Sequence, residues 1–107
     1  MNRGDMWPLD LGGRAGQRPA LIITRQGVIS HVNKLTVAEI TSVGKGYPTE
    51  VSLGHKANLP RDSYVQLDNI QTVSKGRFVK YLGSLDAATM HAVGRKLVLA
   101  LGLEDAL

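Results

Sequence analysis

The stretch Arg18-Pro19-Ala20-Leu21-Ile22-Ile23-Thr24 constrains the fold more than any other part of the chain. Four apolar residues follow Pro19, two of them β-branched, which is typical of a buried strand. Because proline has no N–H to donate, Pro19 belongs at the first position of that strand. A glycine-rich run, residues 11–17, precedes it, so Arg18 lies where a flexible loop enters a rigid strand. That position suits a ligand-binding residue; the alternative is a surface arginine that pairs with a nearby carboxylate.

The remaining pattern predicts a mainly β fold. Short strands are predicted at residues 5–11, 19–24, 35–42, 48–53, 63–73 and 78–82, with a polar loop or hairpin at 25–34. The apolar alternation of the fifth strand changes phase around Asp68-Asn69, which predicts a bulge or bend. A helix is predicted from Leu85 to Leu101, with Ser84 as its cap and Gly102 as its stop. In one domain, residues 1–107, this pattern favours a strongly bent antiparallel sheet or small barrel with a C-terminal helix.

Composition limits the classes of function. The chain has no cysteine, which excludes disulfides and thiolate metal sites. The first residues carry no apolar run typical of a signal peptide, and the longest apolar run, residues 97–101, is too short to cross a bilayer. We therefore expect a cytoplasmic protein with no membrane partner. The formal net charge of +4 favours anionic partners such as nucleic acid or an acidic protein.

Few side chains form a pattern that carries chemistry. The three histidines are scattered without metal-ligand spacing, and we expect them on the surface or at the core edge: His31, His55 and His91. The sequence contains no Gly-x-Ser-x-Gly nucleophile elbow and no pair of carboxylates at a helical spacing. What remains is Arg18 and the hydroxyl pair Thr41-Ser42 at the end of the third strand, which neighbouring strands could bring to one rim. A cation and a hydroxyl donor are the minimum for stabilising a phosphorane-like transition state, although both are also common on ordinary surfaces.

Six short blocks, in this order, resemble the MazF/PemK family of toxin endoribonucleases. The blocks are Arg3-Gly4-Asp5-Met6-Trp7, Arg18-Pro19-Ala20-Leu21-Ile22-Ile23, Ala38-Glu39-Ile40-Thr41-Ser42, Tyr47-Pro48-Thr49-Glu50-Val51, Leu67-Asp68-Asn69-Ile70-Gln71-Thr72-Val73, and Leu82-Gly83-Ser84-Leu85 with a helix to Leu101-Gly102-Leu103. The resemblance covers nearly the whole chain and implies a compact SH3-like β-barrel with a C-terminal helix. It also implies a homodimer that cleaves single-stranded mRNA at short sequences without a metal or other cofactor. A cognate antitoxin with an acidic C-terminal segment would block its RNA groove.

Carried over position by position, the resemblance implies catalytic roles for Arg18 and Thr41, and for Asp68, which matches an acidic residue used in one branch of the family. It implies RNA contacts by Gly13, Arg14, Gln17, Ser42, Asn69 and Gln71. The chain departs from the family pattern in its shorter first loop, in Asn69 and Gln71, and in Glu39, which replaces a small residue or proline. The changes in the first loop and at Asn69 and Gln71 bear on cleavage specificity rather than on the chemistry. Glu39 shares a strand face with Thr41 by alternation, so it either approaches the site or is a solvated strand residue.

Metal-free RNA cleavage uses the neighbouring 2′-hydroxyl as the nucleophile, which explains why DNA is not cut. Arg18 would hold the scissile phosphate and Thr41 would donate to a non-bridging oxygen. Arginine is essentially always protonated, so the general base stays open between Asp68, Glu39 and another group. Two other functions also stay open: a non-catalytic toxin of the same barrel that poisons DNA gyrase, and a nucleic-acid-binding barrel without activity.

Overall fold

Six strands form one antiparallel sheet in the computed structural model, which describes residues 1–107 apart from the side chains of Ala15 and Ala57. They are β1 Asp5–Asp10, β2 Gln17–Ile22, β3 Lys34–Thr41, β4 Glu50–Gly54, β5 Ser63–Ser74 and β6 Gly83–Ser84. Their spatial order is β4-β5-β3-β2-β1-β6. A helix, α1 Ala87–Ala100, follows. The prediction of a mainly β, strongly bent antiparallel sheet with a C-terminal helix is confirmed, the sheet being curled into a half-barrel.

The sheet buries side chains on both of its faces. Leu21 and Ile22 are consecutive in β2, so they point to opposite faces, yet both are fully buried. Leu21 belongs to a cluster that also contains Val93 of α1, so the helix covers that face. Ile22 belongs to a second cluster with Ile29, from the 3₁₀ helix Gln26–His31. This 3₁₀ helix lies where a polar loop or hairpin was predicted, and its apolar Ile29 explains why the segment packs instead of extending into solvent.

A bulge interrupts the pairing of β5 with β3. Ala38 pairs with Ile70, but the next residue of β3, Glu39, pairs with Gln66. Residues 67–69 of β5 therefore have no partner on β3, and a strand with such an insertion bends and twists more strongly. The predicted bulge around Asp68-Asn69 is confirmed.

Two predictions near the C-terminus are wrong. Residues 78–82 are not a regular strand: they follow β1 through an isolated bridge and separate hydrogen bonds, and they carry exposed apolar side chains such as Tyr81. The last strand is instead Gly83–Ser84. Ser84 does not cap the helix, because its hydroxyl donates to Asp5 Oδ1 at 2.6 Å. The cap is Asp86, whose Oδ1 accepts the Thr89 N–H at 2.7 Å, and this bond lowers the pKa of the Asp86 carboxyl.

The end of α1 is fixed by a Schellman motif. The Gly102 N–H donates to the Leu99 carbonyl at 3.2 Å, and the Leu103 N–H donates to the Val98 carbonyl at 2.9 Å. Gly102 has a φ of +66°, a conformation that other residues adopt only with strain. The predicted stop at Gly102 is confirmed. No helix among the described residues is long and apolar enough to span a bilayer.

Substitution of Gly102 tests this helix end. We expect Gly102→Ala to lower the free energy of unfolding by about 1 kcal/mol, because alanine is strained in the left-handed region. Gly94→Ala is the matched control: Gly94 lies inside α1 with open space around its Cβ position, and we expect a gain of about 0.5–1 kcal/mol there. Urea unfolding measures both values. An unchanged stability for Gly102→Ala would show that the helix end is not held by this turn.

Candidate active site

The cleft of interest opens where the ladder between β2 and β3 stops, after three residue pairs. The Ile23 N–H donates to the Thr36 carbonyl at 3.0 Å. Along β2 the backbone N–H and C=O groups of odd-numbered residues therefore point toward β3. In that register the next hydrogen-bonded pair after residue 21 would join Pro19 to Ile40. Pro19 has no N–H to donate, so the ladder ends there.

Beyond this point the two strands have different partners. The outer end of β2 pairs with β1 as far as Gln17, whereas the outer end of β3, residues 39–41, pairs with β5. The sheet therefore divides into two ribbons. The last pair of the ladder is Ala20 with Glu39. Continuing its register by two residues places Arg18 opposite Thr41, on the two sides of the division.

A cavity of about 470 Å³ occupies this division. Its lining residues are Gln17, Arg18, Pro19, Ile40, Thr41, Ser42, Leu59, Pro60, Arg61 and Ser63. The structure thus brings together four residues that the sequence analysis singled out: Gln17, Arg18, Thr41 and Ser42. It adds Arg61, which the sequence analysis did not single out. The described lining contains two guanidinium groups and no carboxylate, so the cavity suits an anionic ligand.

A smaller hollow of about 230 Å³ adjoins Arg18 and Pro19, and Glu39 and Gln71 line it. The Glu39 Oε1 atom lies 4.0 Å from Arg18 Nη1, and the two side chains are 35% and 60% exposed. An ion pair this long and exposed adds little stability. It does place a carboxylate beside the guanidinium, just outside the acid-free cavity.

Four other predicted site residues lie away from both cavities. Asp68 Oδ2 accepts a hydrogen bond from Thr49 Oγ1 at 2.5 Å, and Asn69 Nδ2 donates to Gln66 Oε1 at 3.1 Å. Both Asp68 and Asn69 are exposed on the β5 bulge. The remaining two, Gly13 and Arg14, are exposed in the loop that leads from β1 to β2. The structure therefore does not bring Asp68 to Arg18 within one subunit.

The three histidines are exposed, as predicted. His55 Nε2 lies 3.1 Å from Asp62 Oδ1, on the loop between β4 and β5. Among the residues whose side chains are described, no group of three histidines or carboxylates is arranged to hold a metal ion.

The loop that begins after Thr41, residues 42–49, is held by the Glu50 carboxylate. This group accepts the backbone N–H of Lys45 at 3.1 Å and that of Gly46 at 3.0 Å. It also accepts Gln66 Nε2 at 2.8 Å. These hydrogen bonds lower the pKa of Glu50, and the bond from Gln66 contributes most.

The same loop packs closely against β5. A Cβ added to Gly44 would lie 2.9 Å from the ring of Tyr64, so a larger residue does not fit without a shift. The loop carries Tyr47, whose ring is half exposed. One wall of the cleft is therefore continued by an ordered loop with an exposed aromatic side chain.

Comparison with known proteins agrees with this geometry. Residues 2–101 match the family model described as PemK-like, MazF-like toxin of type II toxin–antitoxin system. Endoribonuclease MazF1 of Mycobacterium bovis is 34% identical over 101 residues, which cover 94% of this chain and 92% of that protein. Endoribonuclease MazF3 of Mycobacterium tuberculosis is 37% identical over 93 residues, 83% and 90% of the two chains. A solved endoribonuclease in complex with its cognate antitoxin, from a mycobacterial species, superposes with a TM-score of 0.86 at 33% identity, covering 96% of each chain.

The role of Glu50 predicts a pH-dependent stability. Its pKa in the folded chain is below the ordinary 4.5, so its stabilising effect is complete above that value and is lost as the pH falls through the folded pKa. We expect Glu50→Gln to lower the free energy of unfolding by about 1 kcal/mol at neutral pH, and by less in acid. Urea unfolding over a pH series measures this difference.

Glu104→Gln, which changes an exposed carboxyl near the C-terminus, is the control, and its effect should stay near zero throughout the series. A loss in Glu50→Gln that is the same at every pH would contradict the assignment of these hydrogen bonds to the ionised carboxylate.

Proposed function

The chain belongs to the PemK-like, MazF-like toxins of type II toxin–antitoxin systems, and on that basis we propose that it is their endoribonuclease toxin. It cleaves single-stranded mRNA at a short sequence in the cytoplasm and thereby inhibits translation and growth. The observation that carries the proposal is the acid-free cleft in which Arg18 lies opposite Thr41. The relatives reported above are named endoribonucleases, so a gyrase poison and an inactive nucleic-acid-binding barrel are not favoured.

The cleft residues can carry the reaction without a metal. The substrate's 2′-oxygen attacks the adjacent phosphorus and the bond from phosphorus to the 5′-oxygen breaks. The leaving 5′-oxygen takes a proton from water, so the products are a 2′,3′-cyclic phosphate and a free 5′-hydroxyl. Arg18 holds the non-bridging oxygens through its planar fork and offsets the charge that develops on them. Thr41 donates a second hydrogen bond to the same phosphoryl group, and Ser42 beside it binds the substrate.

The proton of the 2′-hydroxyl needs an acceptor. Glu39 is the carboxylate that lies beside Arg18, so we propose it as the general base. Asp68 was the other candidate from the sequence, but its carboxylate bonds Thr49 on the β5 bulge. We therefore propose that Asp68 and Asn69 contact nucleotides that flank the cleavage point, as do Gly13, Arg14, Gln17 and Gln71.

We also propose two protein partners. A solved relative is described in complex with its cognate antitoxin, and the cationic cleft of this chain suits an acidic antitoxin segment that competes with RNA. The second partner is another copy of the chain. A two-fold homodimer would place two copies of the loop at residues 11–17 around a shared RNA groove.

Substitution of Arg18 tests the catalytic proposal. We expect Arg18→Ala to slow single-turnover cleavage of a short RNA by about a hundred- to a thousand-fold, because a preorganised donor is lost from the transition state. Arg18→Lys should restore only part of the rate, and Thr41→Ala should lose less than Arg18→Ala because its donor is neutral. Cleavage by the parent should persist in chelator.

Arg25→Ala, which removes an exposed arginine away from the cleft, is the control and should retain the parental rate. Because Arg18 is largely exposed, its substitution should change the free energy of unfolding, measured by thermal melts, by no more than about 0.5 kcal/mol. A folded Arg18→Ala variant that cuts at the parental rate would place the active site elsewhere.

A comparison of two carboxylate variants tests the general base. If Glu39 accepts the proton, Glu39→Gln should lower the cleavage rate by about a hundred-fold or more and should remove the acidic limb of the pH–rate profile. Asp68→Asn should instead change the preference among RNA sequences. The reverse pattern, with the acidic limb lost only in Asp68→Asn, would assign the base to Asp68.

A further inference from the structure

The cleft contains a second guanidinium, that of Arg61, which the mechanism above does not use. We propose that Arg61 binds an RNA phosphate next to the scissile one, so that the cleft holds two consecutive phosphates. This inference rests on the proposed function, because it takes single-stranded RNA as the ligand. It makes Arg61 a substrate-binding residue rather than a catalytic one.

The backbone of Arg61 is fixed although its side chain is exposed. It lies between two buried residues, Leu59 and Ser63, which are 4% and 5% exposed. The Ser63 hydroxyl donates to the Arg61 carbonyl at 2.8 Å, and Pro60 restricts φ directly before it. Because the backbone of Arg61 is already fixed, only its side chain loses conformational freedom on binding, which lowers the entropic cost of the contact.

The surrounding charges leave Arg61 available for an anion. Asp62, the adjacent residue, is directed to His55 Nε2 at 3.1 Å. Among the described residues no carboxylate lies within 4.0 Å of the Arg61 guanidinium, whereas Arg18 has Glu39 at that distance. Two guanidinium groups that line one acid-free cavity repel each other, and a ligand with two negative charges removes that repulsion.

The position of Arg61 separates it from the reacting phosphate. Arg18 and Thr41 lie opposite each other on β2 and β3, so a phosphate bound by both lies between those strands. Arg61 comes from the loop between β4 and β5, on the wall that also includes Leu59. Because Arg61 enters the cavity from this other wall, we place it at a phosphate next to the reacting one, and each phosphate of a single strand carries one charge for such a contact.

Binding of an uncleavable RNA tests the proposal. The probe is a short single-stranded RNA with a 2′-deoxy sugar at the cleavage position, and its affinity is measured by fluorescence anisotropy over a salt series. Each phosphate contact contributes about 0.7 to the slope of log K against log salt for single strands. We expect Arg61→Ala and Arg61→Gln to weaken binding and to lower the slope by about 0.7. Arg61→Lys should keep most of the parental affinity and slope, because it keeps the charge.

Arg95→Ala is the matched control, because it removes an equal charge from an exposed position of α1 and should keep the parental slope. Single-turnover cleavage at saturating RNA should stay close to the parental rate in Arg61→Ala, while the RNA concentration needed for half-saturation rises. This separates Arg61 from Arg18, whose loss lowers the saturated rate.

Two outcomes would overturn the inference. A parental affinity and slope in both Arg61→Ala and Arg61→Gln would show that Arg61 does not contact RNA, and loss of antitoxin binding in the same variants would assign it to that partner. A saturated rate as low as that of Arg18→Ala would place Arg61 on the scissile phosphate. Failure of the parent to cleave any RNA would remove the proposed function, whereas the anisotropy series would still decide whether Arg61 binds a phosphate.

Discussion

The cleft between β2 and β3 depends on one hydrogen bond that Pro19 cannot make. If the ladder between β2 and β3 continued past Ala20, Arg18 and Thr41 would be cross-strand neighbours in a closed sheet, with no space for a ligand between the backbones. The missing N–H lies at the first pair beyond the observed ladder. The outer end of β2 still pairs with β1, and the outer end of β3 still pairs with β5. The opening between β2 and β3 therefore costs few hydrogen bonds, and the strands on both sides of the cleft stay ordered.

The bulge in β5 supports the same division from the other side. It falls at the step from Ala38 to Glu39, and Glu39 is the last residue of β3 that pairs with β2. Residues 67–69 let the outer half of β3 change its register on β5 and bend away from β2. Toward the centre of the sheet, Leu21 and Ile22 are buried on opposite faces, so the strand that carries Arg18 has a rigid base. The fold thus combines an inflexible sheet with a local opening at its rim.

The parts of this arrangement that depend on local sequence could be predicted. A strand that starts at Pro19, a phase change at Asp68-Asn69 and a stop at Gly102 each follow from the chemistry of a few adjacent residues. Ser84 and Asp86 are both good caps, and the choice between them depends on a contact of Ser84 with Asp5, far away in the chain. Such contacts leave no local pattern.

The same limit applies to the site: Arg61 comes from a polar loop without periodicity, and the packing of Leu59 decides where it lies. The separation of Asp68 from Arg18 likewise depends on how far the bulge turns β5, and the resemblance to a family alone could not fix that distance. What was predictable is the position of Arg18 near the start of β2 and of Thr41 at the end of β3, because the sequence marks the limits of both strands.

The distribution of charge at the cleft follows from the position of Glu39 at the end of the ladder. A carboxylate inside the cavity would neutralise the guanidinium and repel a phosphate, whereas Glu39 lies in the adjoining hollow and reaches Arg18 only at 4.0 Å. A loose, exposed pair is easily exchanged for a phosphate, since little energy is lost when it separates. A phosphate offers Arg18 two charge-assisted hydrogen bonds in place of one long contact. In the proposed mechanism, Glu39 is then released beside the bound nucleotide, where a proton acceptor is required.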